Sequence, residues 1–125
     1  MRKLTIPVFS VFLSALALGV SMLAIPVSQA AELSDAQKKG LDIVLDRKKG
    51  NCFACHAMEH AVLPQGNIGP PLVAMKQRFP DKVKLRTQIW DATVNNSDSL
   101  MPPFGRHQIL TEQEIDQVVE FVHSL

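Results

Sequence analysis

The stretch Cys52-Phe53-Ala54-Cys55-His56 constrains this chain more than any other, and it contains the only two cysteines in the sequence. Two thiols one helical turn apart, followed at once by an imidazole, form the attachment signature of a c-type haem. Each thiol can form a thioether to one of the two vinyl groups, and the histidine then projects at the iron as the proximal ligand. Two other chemistries use the same residues. A redox-active dithiol pair belongs in a βαβ context, of which there is no sign. A structural zinc site needs a second ligand pair, and His60, His107 and His123 do not form one. The motif therefore predicts one covalently attached haem c, with Cys52 and Cys55 as the thioether anchors and His56 on the iron.

The amino terminus reads as an export signal. Arg2 and Lys3 precede an apolar stretch from Leu4 to Ile25, and Ser28-Gln29-Ala30 places small residues where a signal peptidase inspects the chain. A retained membrane anchor is the alternative, because the stretch is about long enough to cross a bilayer. Pro7 and Pro26 interrupt or bound it, which favours cleavage. Residues 1–30 are therefore expected to be a signal peptide, and 31–125 a single small domain in the periplasm. Without the segment, eleven basic side chains face twelve acidic ones, so the formal charge moves from +1 to −1. That balance gives no footing for nucleic-acid or anionic-membrane binding. At this size the core is thin, and a covalently held haem would fill its centre.

Helices joined by irregular loops are expected along 31–125, making the class all-α. Ser34-Asp35-Ala36-Gln37 is a capping box, followed by Leu41, Val44 and Leu45 on one face with Gly40 in the same stripe. A glycine there points to close backbone packing. This helix is expected to end near Lys49 and Gly50. A second follows Pro80-Asp81, with Leu85, Ile89 and Ala92 inward and Trp90 beside them, and fades at Asn95-Asn96-Ser97. Thr111-Glu112-Gln113-Glu114 caps a third, whose Ile115, Val118, Val119 and Val122 recur at i, i+3, i+4 and i+7.

The sixth iron position has five candidates: Met58, Met75, Met101, His60 and His107. Met58 and His60 lie too near His56 to reach the opposite face. Met75 opens a helix-like stretch, where core packing is its ordinary role. Met101 precedes Pro102-Pro103-Phe104-Gly105, and two prolines hold the chain extended so that the methionine can be aimed. A thioether is a soft neutral ligand that favours ferrous iron. Met101 is the expected distal ligand, with His107 as the alternative in the same loop. In Asn67-Ile68-Gly69-Pro70-Pro71-Leu72, Pro70 offers a carbonyl that could hold the second ring nitrogen of His56; the stretch reads equally as an ordinary Gly-Pro-Pro turn. His60, Lys76, Arg78 and Arg106 read as solvated surface.

Taken together, these residues resemble a class I monohaem cytochrome c over essentially all of 31–125. The resemblance implies first and last helices that cross at small residues, a role suited to Gly40 and the Val118 to Val122 face. It also implies Pro70 as the carbonyl partner of His56 and Met101 as the methionine ligand. More narrowly, Gly50 to Ala57, Gly69-Pro70-Pro71-Leu72, Gln88-Ile89-Trp90-Asp91-Ala92, and Met101 to Gly105 followed by Ile109-Leu110-Thr111 resemble the SoxX family. These are the small cytochrome subunits of the sulfur-oxidising system. That resemblance implies a heterodimer with a SoxA-like haem protein subunit that joins thiosulfate to a cysteine of a carrier protein (L-cysteine S-thiosulfotransferase) and releases two electrons, passed on to a small c-type cytochrome acceptor. A free-standing electron shuttle, or a haem sensor with an open iron site, would use the same motif.

Overall fold

Helix α1 (Asp35–Leu45) starts where two side chains cap each other. The Gln37 N–H donates to Ser34 Oγ at 3.3 Å, and the Ser34 N–H donates to Gln37 Oε1 at 2.7 Å. The computed structural model describes residues 32–60 and 64–125, so the expected signal peptide lies outside the described residues. Among the described residues four α-helices follow one another: α1, a short α2 (Met75–Arg78), α3 (Lys82–Trp90) and α4 (Glu112–Val122). Two 3₁₀ turns, Cys52–Ala54 and Ala92–Val94, complete the regular structure, and among the described residues there is no strand. The all-α class expected from the sequence holds.

The helix starts follow the local signals, while two helix ends come earlier than the apolar periodicity predicts. α4 opens on the expected box, with the Thr111 N–H on Glu114 Oε2 at 2.9 Å and the Glu114 N–H on Thr111 Oγ1 at 3.2 Å. α1 stops at Leu45 rather than near Gly50 because Asp46 takes over the backbone. Asp46 Oδ1 accepts the Lys48 N–H at 2.8 Å, and its carbonyl accepts the N–H groups of Lys49 and Asn51. A short carboxylate bonding to nearby backbone competes with the helix ladder. Asp91 does the same at the end of α3: its backbone is extended, and its Oδ1 accepts the Thr93 N–H at 3.0 Å to start the Ala92–Val94 turn. Leu85, Ile89 and Ala92 are nonetheless all buried, as the periodicity required.

α1 and α4 cross and make the most extensive contact between any two helices, and α3 also packs against α4. Val44, Ile115 and Phe121 are completely shielded from solvent. Each such side chain contributes about 1.5–3 kcal/mol by leaving water. The crossing is close because Gly40 sits at it: a Cβ there would lie 2.1 Å from the Gln117 carbonyl oxygen and 2.8 Å from Phe121 Cβ. Lys49 pairs with Glu114 and holds that carboxyl below the usual carboxylate range, tying the turn after α1 to the start of α4.

In an ordinary exposed helix, replacing glycine by alanine stabilises by about 1 kcal/mol. Gly40→Ala should instead destabilise the haem-loaded protein by about 1–3 kcal/mol, the usual cost of overpacking. A urea titration followed by far-ultraviolet circular dichroism reads the sign; an unchanged or higher midpoint would show that the helices do not cross at this glycine.

Candidate cofactor site

The core borders an open-sided cavity of about 740 Å³. Its apolar wall includes Leu72, Met75, Leu85, Ile89, Phe104 and Val118, contributed by every helix except α1 and by the loops on both sides of α3. The volume falls among those of pockets that engulf a small molecule, about 300–1,000 Å³. A space of this size lined by core side chains is built for an apolar occupant.

Cys52, Cys55 and His56 all line this cavity. Asn51 (φ 48, ψ 35), in the left-handed conformation that asparagine tolerates better than most residues, redirects the chain into the Cys52–Ala54 turn. The N–H groups of Cys55 and His56 both donate to the Cys52 carbonyl, at 3.1 and 2.9 Å, so the three side chains leave a single turn. Both thiols are free, and burial pushes the Cys52 thiol up to about 12. A redox dithiol needs an attacking sulfur with a depressed pKa. Burial shifts the Cys52 sulfur the other way.

Pro70 holds the ring of His56. Its carbonyl oxygen lies 2.6 Å from His56 Nδ1. A carbonyl can only accept, so Nδ1 carries the proton and the lone pair of the neutral ring is on Nε2. Gly69 completes the seat in a way that the sequence reading missed. A Cβ there would stand 2.4 Å from His56 Cε1 and 2.7 Å from Nδ1, so the ring lies against bare backbone. The surrounding loop is stitched to the motif by Gly66 N–H to the Phe53 carbonyl, Gly69 N–H to Cys55 and Leu72 N–H to Ala57, all at 2.8–2.9 Å.

Of the five candidates for the opposite side, Met75 and Met101 line the cavity, whereas Met58, His60 and His107 are not among the lining residues. Met58 is buried elsewhere in the core, and His60 packs edge-on against Phe121. His107 is exposed. Met75 is buried in the wall, and its sulfur accepts a hydrogen bond from Arg78 Nη1 at 3.4 Å. Met101 is half-buried in the loop before the two prolines, with its N–H on Ser99 Oγ at 3.2 Å. Arg78, read as solvated surface, is partly committed to the site: it lines the cavity, and Nη1 donates to the Pro71 carbonyl at 2.6 Å.

Residues 46–122 match the family described as "Cytochrome C oxidase, cbb3-type, subunit III", and the chain belongs to that family of cytochrome c domains. It is an electron-transfer cytochrome with a class I cytochrome c fold, and haem c is the cofactor of such a domain. Within this class it is SoxX-like. A chain in the crystal structure of SoxXA from P. pantotrophus matches it with a TM-score of 0.62 at 25% identity, over 70% of this chain and 80% of that one. An uncharacterised lipoprotein of Aquifex aeolicus (strain VF5) is 36% identical over 77 residues, which cover 62% of this chain. The match spans only 37% of that relative's length. Among the described residues, no helix is long and apolar enough to cross a membrane. The site fits the cofactor on its own chemistry: two free thiols and an imidazole on one turn, a thioether in a stiff loop, and an apolar cavity among them.

Because Pro70 fixes the ring of His56, an added methyl at position 69 cannot be accommodated by rotating it away. Gly69→Ala should lower the stability of the haem-loaded protein by about 1–3 kcal/mol, whereas Asn67→Ala in the same loop should stay within about 0.5 kcal/mol. Denaturant midpoints measured side by side check this; equal midpoints would mean that the ring does not rest on Gly69.

Proposed function

We propose that this chain is the electron-transfer subunit of a thiosulfate-oxidising complex of the SoxAX type, exported to the periplasm after removal of residues 1–30. Cys52 and Cys55 would hold a single haem c through thioethers. His56 Nε2 would be the proximal ligand and Met101 Sδ the distal one. When bound, the haem supplies a reversible one-electron couple. Everything else follows from the side chains. The Pro70 carbonyl keeps the His56 lone pair on Nε2 and makes the imidazole a stronger donor. Met101 offers a neutral soft sulfur, which favours the reduced metal.

One observation carries the reading: every sulfur and imidazole group lining the cavity, other than the wall residue Met75, already has a place in holding the cofactor. The chain has no further cysteine to attack a sulfur species. With Met101 in place, no open position remains for a substrate. The joining of thiosulfate to a carrier cysteine therefore belongs to a SoxA-like partner, and the role of this chain is to receive electrons. A two-electron oxidation then requires two turnovers of this chain or a second centre in the partner. The likeness to a SoxXA chain supports that partner. A free-standing shuttle is the second reading, because the same haem-attachment motif serves it equally.

Co-expression with a SoxA-like subunit tests the assignment. A stable one-to-one complex at micromolar concentration is expected; recovery of the chain as a monomer would favour the shuttle. The oxidised protein should also show a near-infrared sulfur-to-iron band that Met101→Ala abolishes. Rapid binding of carbon monoxide by the reduced wild type would overturn Met101 as the ligand.

A further inference from the structure

Asp91 has no part in this scheme, yet it is the one charged residue buried with the core among the described residues. Its Oδ1 accepts the Thr93 N–H at 3.0 Å and the Thr93 hydroxyl at 2.5 Å. Its Oδ2 faces Arg106 Nη1 at 3.1 Å. The Thr93 hydroxyl is the main reason that the carboxyl is held below its ordinary pKa, with Arg106 and His107 adding smaller contributions from the loop side. Asp91 is therefore charged at neutral pH, and Arg106 is its ionic partner. A half-exposed pair of this kind does little for global stability. Its location is the informative feature.

Arg106 belongs to the loop that carries Met101, and the same junction is fastened by backbone. The N–H groups of Gly105 and Arg106 both donate to the Trp90 carbonyl, at 3.1 and 3.4 Å, while Phe104 is buried beside them. The end of α3 thus grips residues 104–106 by main chain, side-chain charge and apolar packing together. Between that grip and Met101 lie only Pro102 and Pro103. Their rings fix φ near −65°, so this two-residue spacer is stiff. A displacement at Arg106 is carried along the spacer to the methionine and is not absorbed by free rotation.

We infer that Asp91 and Arg106 form a positioning clasp that sets where the Met101 sulfur stands in the cavity. The inference rests on Met101 being the distal ligand, and its purpose is to keep that ligand in place against competitors. A weakened clasp lets the loop and its sulfur leave the metal while the helices stay folded.

The test uses the haem-loaded full-length protein and four variants: Asp91→Asn, Arg106→Gln, Arg106→Lys and Met101→Ala. Asp91→Asn keeps an acceptor for Thr93 and removes the charge. Arg106→Gln alters a side chain that is 53% exposed, so the fold tolerates it. The readouts are the near-infrared sulfur-to-iron band as temperature rises, far-ultraviolet circular dichroism over the same range, and the rate at which carbon monoxide enters the reduced protein. In Asp91→Asn and Arg106→Gln, carbon monoxide should enter about two- to fivefold faster than in wild type, the scale of one partly exposed ion pair. Their near-infrared band should vanish well below the temperature at which helicity is lost. Arg106→Lys should recover most of the wild-type behaviour. If the wild type has the band and Met101→Ala lacks it, but the clasp variants bind carbon monoxide at the wild-type rate, the clasp is wrong and the ligand assignment stands. If band and helicity are lost together in the clasp variants, the pair is merely structural and the clasp is again wrong. A wild type without the band overturns the ligand assignment, and the clasp with it.

Discussion

A small helical domain with a cavity of about 740 Å³ at its centre depends on whatever fills that cavity. Core side chains gain stability by leaving water and by touching other atoms at close range. Here Leu85, Ile89 and Val118 are buried core residues that also line the cavity. Part of their contribution is thus conditional on the occupant. A cofactor held by two covalent bonds suits this arrangement, because it cannot dissociate and leave the core incomplete. Among the described residues, eight of the fifteen that form the buried apolar core also line the site.

The scaffold around the cavity is rigid where position matters. The α1–α4 crossing at Gly40 fixes the turn that follows α1, and the pairing of Lys49 with Glu114 ties that turn to α4 a second time. Cys52, Cys55 and His56 leave the next turn together. The Met101 loop, which also lines the cavity, is fastened to the end of α3 through Trp90 and Asp91. The two sides of the site are thus hung on different helices, both of which pack on α4. This arrangement lends itself to electron transfer, for which a metal centre that moves little between its two oxidation states is an advantage.

Much of this was legible in the sequence where the signal is local. Both capping boxes act over three residues, so Ser34 with Gln37 and Thr111 with Glu114 stood out from spacing alone. Gly40 was legible because an apolar stripe surrounds it. The early ends of α1 and α3 were not, since Asp46 and Asp91 break the helices with their own carboxylates while the apolar period runs on past them. Gly69 was also missed. Its role is the absence of a side chain beside a ring thirteen positions earlier, and such a contact leaves no periodic trace. The carbonyl of Pro70 was anticipated from the needs of a metal-bound histidine, and the structure places it 2.6 Å from His56 Nδ1. Among the methionines, sequence position set Met101 apart from both Met58 and Met75; in the structure Met75 and Met101 both line the cavity, and the Met75 sulfur accepts from Arg78.

The central claim is that the cofactor is part of the core and not an addition to a finished fold. The most direct measurement is thermal unfolding, by circular dichroism and calorimetry, of the protein carrying both Cys52→Ser and Cys55→Ser. The account predicts that this haem-free chain has reduced helicity and no cooperative heat-absorption peak. A sharp cooperative transition at nearly the midpoint of the haem-loaded wild type would contradict it.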